Sequence, residues 1–296
     1  MIVLRLKGGL GNQLFIYVFG LYLKERKNEN IIFDQSPYFK LLSNKYNNFS
    51  KKYFITLSLN KFFNYRSVPN LIGKFLFKLA KLNKYYFNLS LLPFFYSEEE
   101  ICKDYNKKEL KGLFKCINGH FINKDYALKL SKKLILPSID ISKKNKKYLK
   151  EIEYSNSVSI HIRGSQYVNY EEIKSTYAPI DKKYYKKSIE IINKYVINPK
   201  FFVFTNDLKY AISVMDFDKN IIFIETNGPD YEHFYMMSRC KHNIIINSTF
   251  SWWAAFFNEN NKKLVICPSK WSGEVLVNQY YDALPLDNYI KVNNLA

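Results

Sequence analysis

In the second half of the chain, short apolar runs rich in β-branched and aromatic residues recur at regular intervals. They are VSIHI (158–162), KFFVFT (200–205), NIIFIE (220–225), HNIIIN (242–247) and KLVICP (263–268). The intervening segments YYKKSIEIINKYV, DLKYAISVMD, DYEHFYMMSRC and SWWAAFFNEN have helical length or period. Strands that are apolar on both faces must be covered on both, so the alternation predicts a parallel sheet wrapped by helices. The first half opens the same way: IVLRLK (2–7) reads as a strand, GGLGNQ as a glycine loop, LFIYVFGLYLKERK as a helix and NIIFD (30–34) as a strand. LKGLFKCINGHF (110–121) includes another short strand. Residues 40–100 are less regular, heavy in Tyr, Phe and Lys, and are expected to carry helices on the first sheet. The lysine-rich SKKNKKYLKEIEYSN (142–156) is the expected boundary, giving α/β domains at 1–150 and 151–296. Two such domains facing each other form a cleft, where ligand sites are favoured.

Composition agrees with a folded chain: 47% hydrophobic and 18% aromatic residues can supply a large core. No run is long and apolar enough for a membrane span, and MIVLRLKGGLGN lacks the apolar region of a secretory signal. Cys102, Cys116, Cys240 and Cys267 are scattered without metal-ligand spacing, which predicts reduced thiols and a cytoplasmic protein. The net charge of +19 would suit an anionic partner. No nucleic-acid-binding signature accompanies it, and A/T-rich codon usage explains much of the lysine, so nucleic acid is not expected as a partner. In NLIGKFLFKLAKLNK (70–84), Lys74, Lys78 and Lys81 recur at helical spacing among Leu, Ile and Phe. Such a helix can lie peripherally on an anionic membrane surface, at the inner face of the plasma membrane, or pack its apolar side on its own domain.

Ligands of open α/β sheets bind beyond the carboxyl ends of the strands. Those ends carry GGLGNQ (8–13), RGSQY (163–167), Asn206-Asp207, TNGPD (226–230) and STFS (248–251), a polar inventory of amides, hydroxyls, carboxylates and one arginine. Asp216-Phe217-Asp218 spells a DxD metal motif, but it lies at the amino edge between a helix and a strand. It reads as a turn, and no metal is expected. Arg163 is a permanent, forked cation suited to bidentate phosphate binding, with a structural ion pair as the alternative. His161 points to the same side of its strand. Ser248, Thr249 and Ser251 are expected to cap the helix that follows, and free backbone N–H groups there can hold an anion. A capped core helix and nothing more is the other reading.

GGLGNQLFIYVFG, SIHIRGSQY, FFVFTND and CKHNIIINSTFSWWAAFFN resemble, in order and spacing, motifs of the α-1,2-fucosyltransferases, glycosyltransferase family 11. The family patterns run GGLGNQMFQYAFG, HIRRGDY, FFIFSDD and HNIIANSTFSWWGAWLN, and the resemblance covers essentially the whole chain. It implies two facing Rossmann-like domains (the GT-B fold), with the nucleotide site in the interdomain cleft. It also implies inverting, metal-independent transfer of fucose from GDP-fucose to the 2-hydroxyl of an acceptor, commonly a galactoside. A surface glycan such as lipopolysaccharide or capsule, or its lipid-linked precursor, is the expected acceptor, and no cofactor is expected beyond the GDP-sugar donor. By motif, Arg163 neutralises the leaving β-phosphate, His161 lies near the nucleotide, and Asp207 accepts the guanine N1 and N2 hydrogens. Ser248, Thr249 and Ser251 complete the phosphate site, while Gly9, Gly11, Asn12 and Gln13 lie near the transferred sugar. The chain departs from the pattern where HIRRGDY becomes HIRGSQY, losing an arginine and an aspartate to Gly164 and Gln166, and where FSDD becomes Phe204-Thr205-Asn206-Asp207. Glu171, Glu172 or Asp230 could replace the lost carboxylate. The departure also leaves open a related GDP-deoxyhexose donor, an altered acceptor, or a catalytically impaired GDP-sugar-binding subunit.

Overall fold

A computed structural model describes residues 1–38, 57–104, 110–164, 176–217, 220–224, 228–273 and 279–294. Those residues form two compact units, Met1–Pro137 and Ser138–Ala296. The division falls just before the lysine-rich stretch within which the sequence reading placed the boundary, at 150/151. The reason is local: helix Lys143–Tyr154 belongs to the second unit, where Ser142 and Asn145 bond the buried carboxylate of Glu232.

The first unit runs β1 (Ile2–Arg5), α1 (Leu10–Lys27), β2 (Ile31–Asp34), β3 (Ser67–Val68), α2 (Asn70–Leu82), β4 (Phe94–Ser97), α3 (Glu98–Asp104), β5 (Lys115–Asn118) and α4 (Lys124–Leu130). Its strands are all parallel, in the order β3-β2-β1-β5-β4. The second unit runs α5 (Lys143–Tyr154), β6 (Asn156–Ile162), α6 (Lys182–Tyr195), β7 (Pro199–Thr205), α7 (Leu208–Val214), β8 (Ile221–Phe223) and α8 (Asp230–Arg239), then β9 (His242–Ile244), α9 (Thr249–Phe256), β10 (Val265–Pro268), α10 (Gln279–Asp282) and β11 (Ile290–Val292). Its strand order is β11-β10-β9-β6-β7-β8, again parallel throughout. From β6 the chain winds outward through β7 and β8, then returns to β9 on the other side of β6. This is the doubly wound order, and its reversal between β6 and β9 opens a crevice beyond their carboxyl ends. The first unit reverses likewise between β1 and β5.

The two-sided apolar strands are buried as their patterning predicts: Val158, Ile160, Phe202, Val203, Ile244 and Ile266 are all inaccessible. Strand β6 is paired along its whole length with β7, from Asn156–Pro199 to Ile162–Thr205. Cys116, Cys240 and Cys267 are buried thiols; burial pushes Cys116 and Cys267 up to about 12, which keeps them protonated and unreactive. Among the described residues, no helix is long and apolar enough to cross a membrane. Asp216 follows α7 and pairs with Lys182, whereas Asp218 lies outside the described residues.

In the first unit, the buried Asp34 is held by Arg5 Nε at 2.7 Å and by the Ser36 N–H at 3.0 Å. Helix α2 lies against this pair through Gly73, where a Cβ would come within 2.1 Å of Asp34 Oδ1. Gly73→Ala should therefore cost roughly 1–3 kcal/mol, because the carboxylate cannot move without breaking a buried ion pair. Urea unfolding that leaves the midpoint unchanged would refute this packing.

Candidate functional site

Strand β6 delivers His161 and Arg163 to the carboxyl edge of the second sheet. His161 is buried, and its ring packs 5.5 Å from that of Phe250, in the first turn of α9. The end of β6 and the start of α9 therefore meet side to side across the crevice. Burial, and then the charge of Arg163, lowers the His161 pKa to about 3, so the imidazole is neutral at physiological pH. Its Nδ1 is buried and has no hydrogen-bond partner. The Arg163 guanidinium lies 5.4 Å from the Tyr177 ring centre, a cation–π distance that keeps the fork at the strand end.

Ser248, at the N-cap position of α9, departs from expectation. Its backbone is extended, as a cap requires, but its side chain makes no capping bond. The Oγ is buried without a partner, and only the backbone of Ser248 is engaged, its N–H with Ile246 O and its carbonyl with Trp252 N. A buried hydroxyl left unmade costs about 1–3 kcal/mol, so such a group is retained where something else satisfies it. Ser251 is also spent locally, its hydroxyl donating to Ser248 O at 3.3 Å. Thr249 is the first helical residue and is buried. The predicted capping role is thus wrong for Ser248, and the correction makes it a stronger ligand candidate.

Asp207 begins α7, and its Oδ1 accepts the Tyr210 N–H at 3.1 Å. It is a helix cap. Asn206 Oδ1 accepts the Gly164 N–H at 2.9 Å, and a Cβ on Gly164 would lie 2.7 Å from Asp207 Cβ. The two departures from the family pattern are therefore adjacent in space: the glycine lets the end of β6 lie against the residues after β7, and the asparagine fastens it there. Ser165, Gln166, Glu171 and Glu172 lie outside the described residues, and Asp230 opens α8. Asn247 stands between β9 and the Ser248 turn. It is buried, and its Nδ2 donates to Ala178 O at 2.7 Å and Trp271 O at 3.0 Å, tying two loops to the end of β9. A glycosylation role for this Asn-Ser-Thr is excluded by that burial.

In the first unit the glycine loop turns through Gly8, whose φ of +74° and contact with Asn12 exclude a side chain. Gly9 is the N-cap position of α1, and Gly11 and Asn12 lie in its first turn. Gln13 does not present its amide outward. It is fully buried, with Oε1 accepting from Ser58 N and Leu59 N and Nε2 donating to Gly8 O. Its place is to brace the loop.

The crevice between β1 and β5 holds a cluster that sequence reading missed. Lys7 follows β1, His120 follows β5 and Glu98 follows the neighbouring β4. The Glu98 carboxylate accepts the N–H groups of His120 and Phe121, both at 2.7 Å, and holds Phe121 in a left-handed conformation at φ +51°. Burial lowers the Lys7 pKa, and burial together with Lys7 brings His120 to about 4. A neutral imidazole beside a poorly solvated ammonium can accept from one sugar hydroxyl and donate to another. The signal was the alignment of positions just past adjacent strand ends, which is visible only once the strand order is known.

The chain matches Glycosyl transferase family 11 over residues 1–284. It belongs to that family. The family 11 chain is 30% identical to the α-1,2-colitosyltransferase of Escherichia coli over 288 residues, covering 92% of each. It is 27% identical to the E. coli O-antigen biosynthesis glycosyltransferase WbnK, covering 90% of this chain and 93% of that one. The crystal structure of the fucosyltransferase NodZ from Bradyrhizobium shares the fold, with a TM-score of 0.50 at 12% identity over 86% of this chain and 92% of that one. The family expected from the motifs, and the α/β fold of two parallel sheets, are both borne out. The protein is a glycosyltransferase.

The buried neutral His161 has a measurable consequence. Its folded-state pKa is depressed from 6.5 to about 3, so between those values the unfolded chain binds the extra proton. Stability should be full above pH 6.5 and fall as pH drops through that window, with this group contributing a slope of up to about 1.4 kcal/mol per pH unit. Urea titrations from pH 7 to 4 should show His161→Gln with a shallower fall than the wild type; identical slopes would contradict the burial.

Proposed function

We propose that the protein transfers fucose, or a related deoxyhexose such as colitose, from its GDP-linked donor to the 2-hydroxyl of a galactoside during surface-glycan synthesis. Transfer inverts the anomeric centre and uses no metal. The observation that carries this reading is the unspent, buried Ser248 hydroxyl at the mouth of the β6/β9 crevice, in the turn whose Phe250 packs on His161. Ser248 Oγ and the N–H groups opening α9 donate to the diphosphate, with Thr249 and Ser251 shaping that turn. Arg163 neutralises the charge that develops on the β-phosphate as the sugar–oxygen bond breaks. His161, kept neutral, hydrogen-bonds the nucleotide without adding charge. Asp207, placed at the carboxyl end of β7 by its capping bond to Tyr210 N, reads the guanine N1 and N2 hydrogens. In the first unit, Gly9, Gly11 and Asn12 offer a close backbone approach to a sugar, and Lys7 and His120 bind sugar hydroxyls. The names of the E. coli relatives support an O-antigen setting and widen the choice of donor.

Colitose is fucose without its 3-hydroxyl, so the two donors report whether a buried polar group awaits that hydroxyl. A site built around it discriminates strongly against the deoxy sugar, whereas an apolar site does not. A second reading, a GDP-sugar-binding subunit without transferase activity, is favoured by the closed Gly164–Asn206 contact where the family carries a second arginine. Tight GDP binding without transfer, or hydrolysis, of either donor would establish it.

Purified protein incubated with GDP-fucose or GDP-colitose, EDTA and a galactoside panel should form product detectable by mass spectrometry. Arg163→Ala should lower kcat on the order of 10²–10³-fold, with Arg163→Lys intermediate because a point charge cannot replace the fork. His120→Asn should raise the acceptor KM more than the donor KM. Near-full activity in Arg163→Ala would remove the central assignment.

A further inference from the structure

Helix α2 is apolar on two faces. Its inner face, Leu76, Phe77 and Ala80, is buried against Val3, Phe95 and Cys116, so the helix is already anchored to its own unit. The outer face is apolar as well: Leu71 and Phe75 are 62% and 63% exposed, and Leu82 continues the row. A helix needs one apolar face to pack, and a second one turned to solvent calls for another explanation.

The apolar surface continues beyond the helix. Residues Asn83–Phe87 form one wide turn that exposes Tyr86 by 77%, with Phe87 beside it, and the loop that follows exposes Leu91 by 83%. This loop is built. The buried Asn83 accepts from Leu89 N at 2.8 Å and donates to Leu89 O at 2.8 Å and Pro93 O at 3.1 Å. Asn88 takes a left-handed conformation, φ +53°, that turns the chain back. The aromatic side chains are thus held outward by a buried amide.

Lysines flank the surface. Lys78 is exposed within the outer face of α2, and Lys74 and Lys81 follow one edge of it. Lys81 stacks over Phe95 at 5.1 Å, which directs its stem along the helix, and Lys84 is held by Glu100 at 2.7 Å. No carboxylate occurs from Ser67 to Ser97, a stretch within a chain of net charge +19. Aliphatic residues along a helix, aromatic rings at its end and ammonium groups along its flank match a bilayer interface: acyl chains, the headgroup boundary and anionic phosphates.

We infer that α2 and the Asn83–Leu91 turn form a docking surface by which the first unit binds an anionic lipid bilayer peripherally. Neither the nucleotide crevice nor the transfer reading is needed for this surface, so it stands or falls separately from them.

Co-sedimentation with vesicles tests it. The full chain should pellet with phosphatidylglycerol-containing vesicles, less with pure phosphatidylcholine, and should be released by high salt. Leu71→Ser/Phe75→Ser/Tyr86→Ser should remain in the supernatant with both vesicle types. Lys74→Gln/Lys78→Gln/Lys81→Gln should lose partitioning to anionic vesicles by on the order of a hundred-fold, from roughly five-fold per lysine. Unchanged GDP binding and thermal midpoints in both variants show that the fold is intact. The inference is overturned if the wild type ignores anionic vesicles, or if both variants bind as well as it does. It is also overturned if sedimentation velocity shows a dimer that the apolar variant dissociates without any vesicle binding, since the surface would then belong to a second copy.

Discussion

Helix α9 has no polar face, and the second unit is organised around burying it. Trp252, Trp253, Ala254 and Ala255 are all inaccessible, and the two indoles meet edge to face with centroids 4.9 Å apart. Trp252 Nε1 is satisfied by Leu284 O at 2.8 Å, so even the polar edge of the ring is fixed by the interior. A helix held this firmly cannot adjust its amino end to suit its own capping. Ser248 therefore stands at the cap position with its hydroxyl unspent, in the turn whose Phe250 packs on the neutral His161. The apolar burial and the polar site are one arrangement: packing behind the sheet edge preorganises donors in front of it, without reorganisation when charge develops.

The departures from the family motifs take on a physical meaning in this setting. Gly164 leaves no room for a side chain against Asp207, and its N–H is taken by Asn206. An arginine at 164 would require the backbone there to move away from Asp207, and an aspartate at 206 would change the charge beside it. In the proposed reaction, phosphate neutralisation falls on Arg163 alone among the matched motif positions, as suits a transfer driven by departure of the nucleotide more than by deprotonation of the acceptor.

Much of the fold was legible because burial on both faces leaves a continuous apolar run, as in VSIHI and KFFVFT. Strands β3, β4 and β11 were not. The first is two residues long, the second follows Pro93 in an aromatic-rich stretch, and the third exposes Lys291 at the sheet edge, so none carries a period. The same limit explains the site. Residues just past the central strands could be identified from their position after an apolar run, and the His161 ring does pack on Phe250 in the turn that follows Ser248. The bracing bonds of Gln13 were not legible, because its partners Ser58 and Leu59 lie some 45 residues away and meet it only in the fold. Lys7, Glu98 and His120 were missed because the strand order β1-β5-β4, not the chain, makes them neighbours.

The central claim is that Ser248 is held without a protein partner in order to bind a phosphate oxygen. Replacing it with alanine separates the two roles that a buried serine can have. Calorimetric titration with GDP, paired with urea unfolding of the same Ser248→Ala protein, should show affinity falling by about 3–10-fold while stability is unchanged or slightly higher, because an unsatisfied buried hydroxyl has been removed. Loss of stability with full GDP affinity would show that Ser248 serves the helix and not the nucleotide.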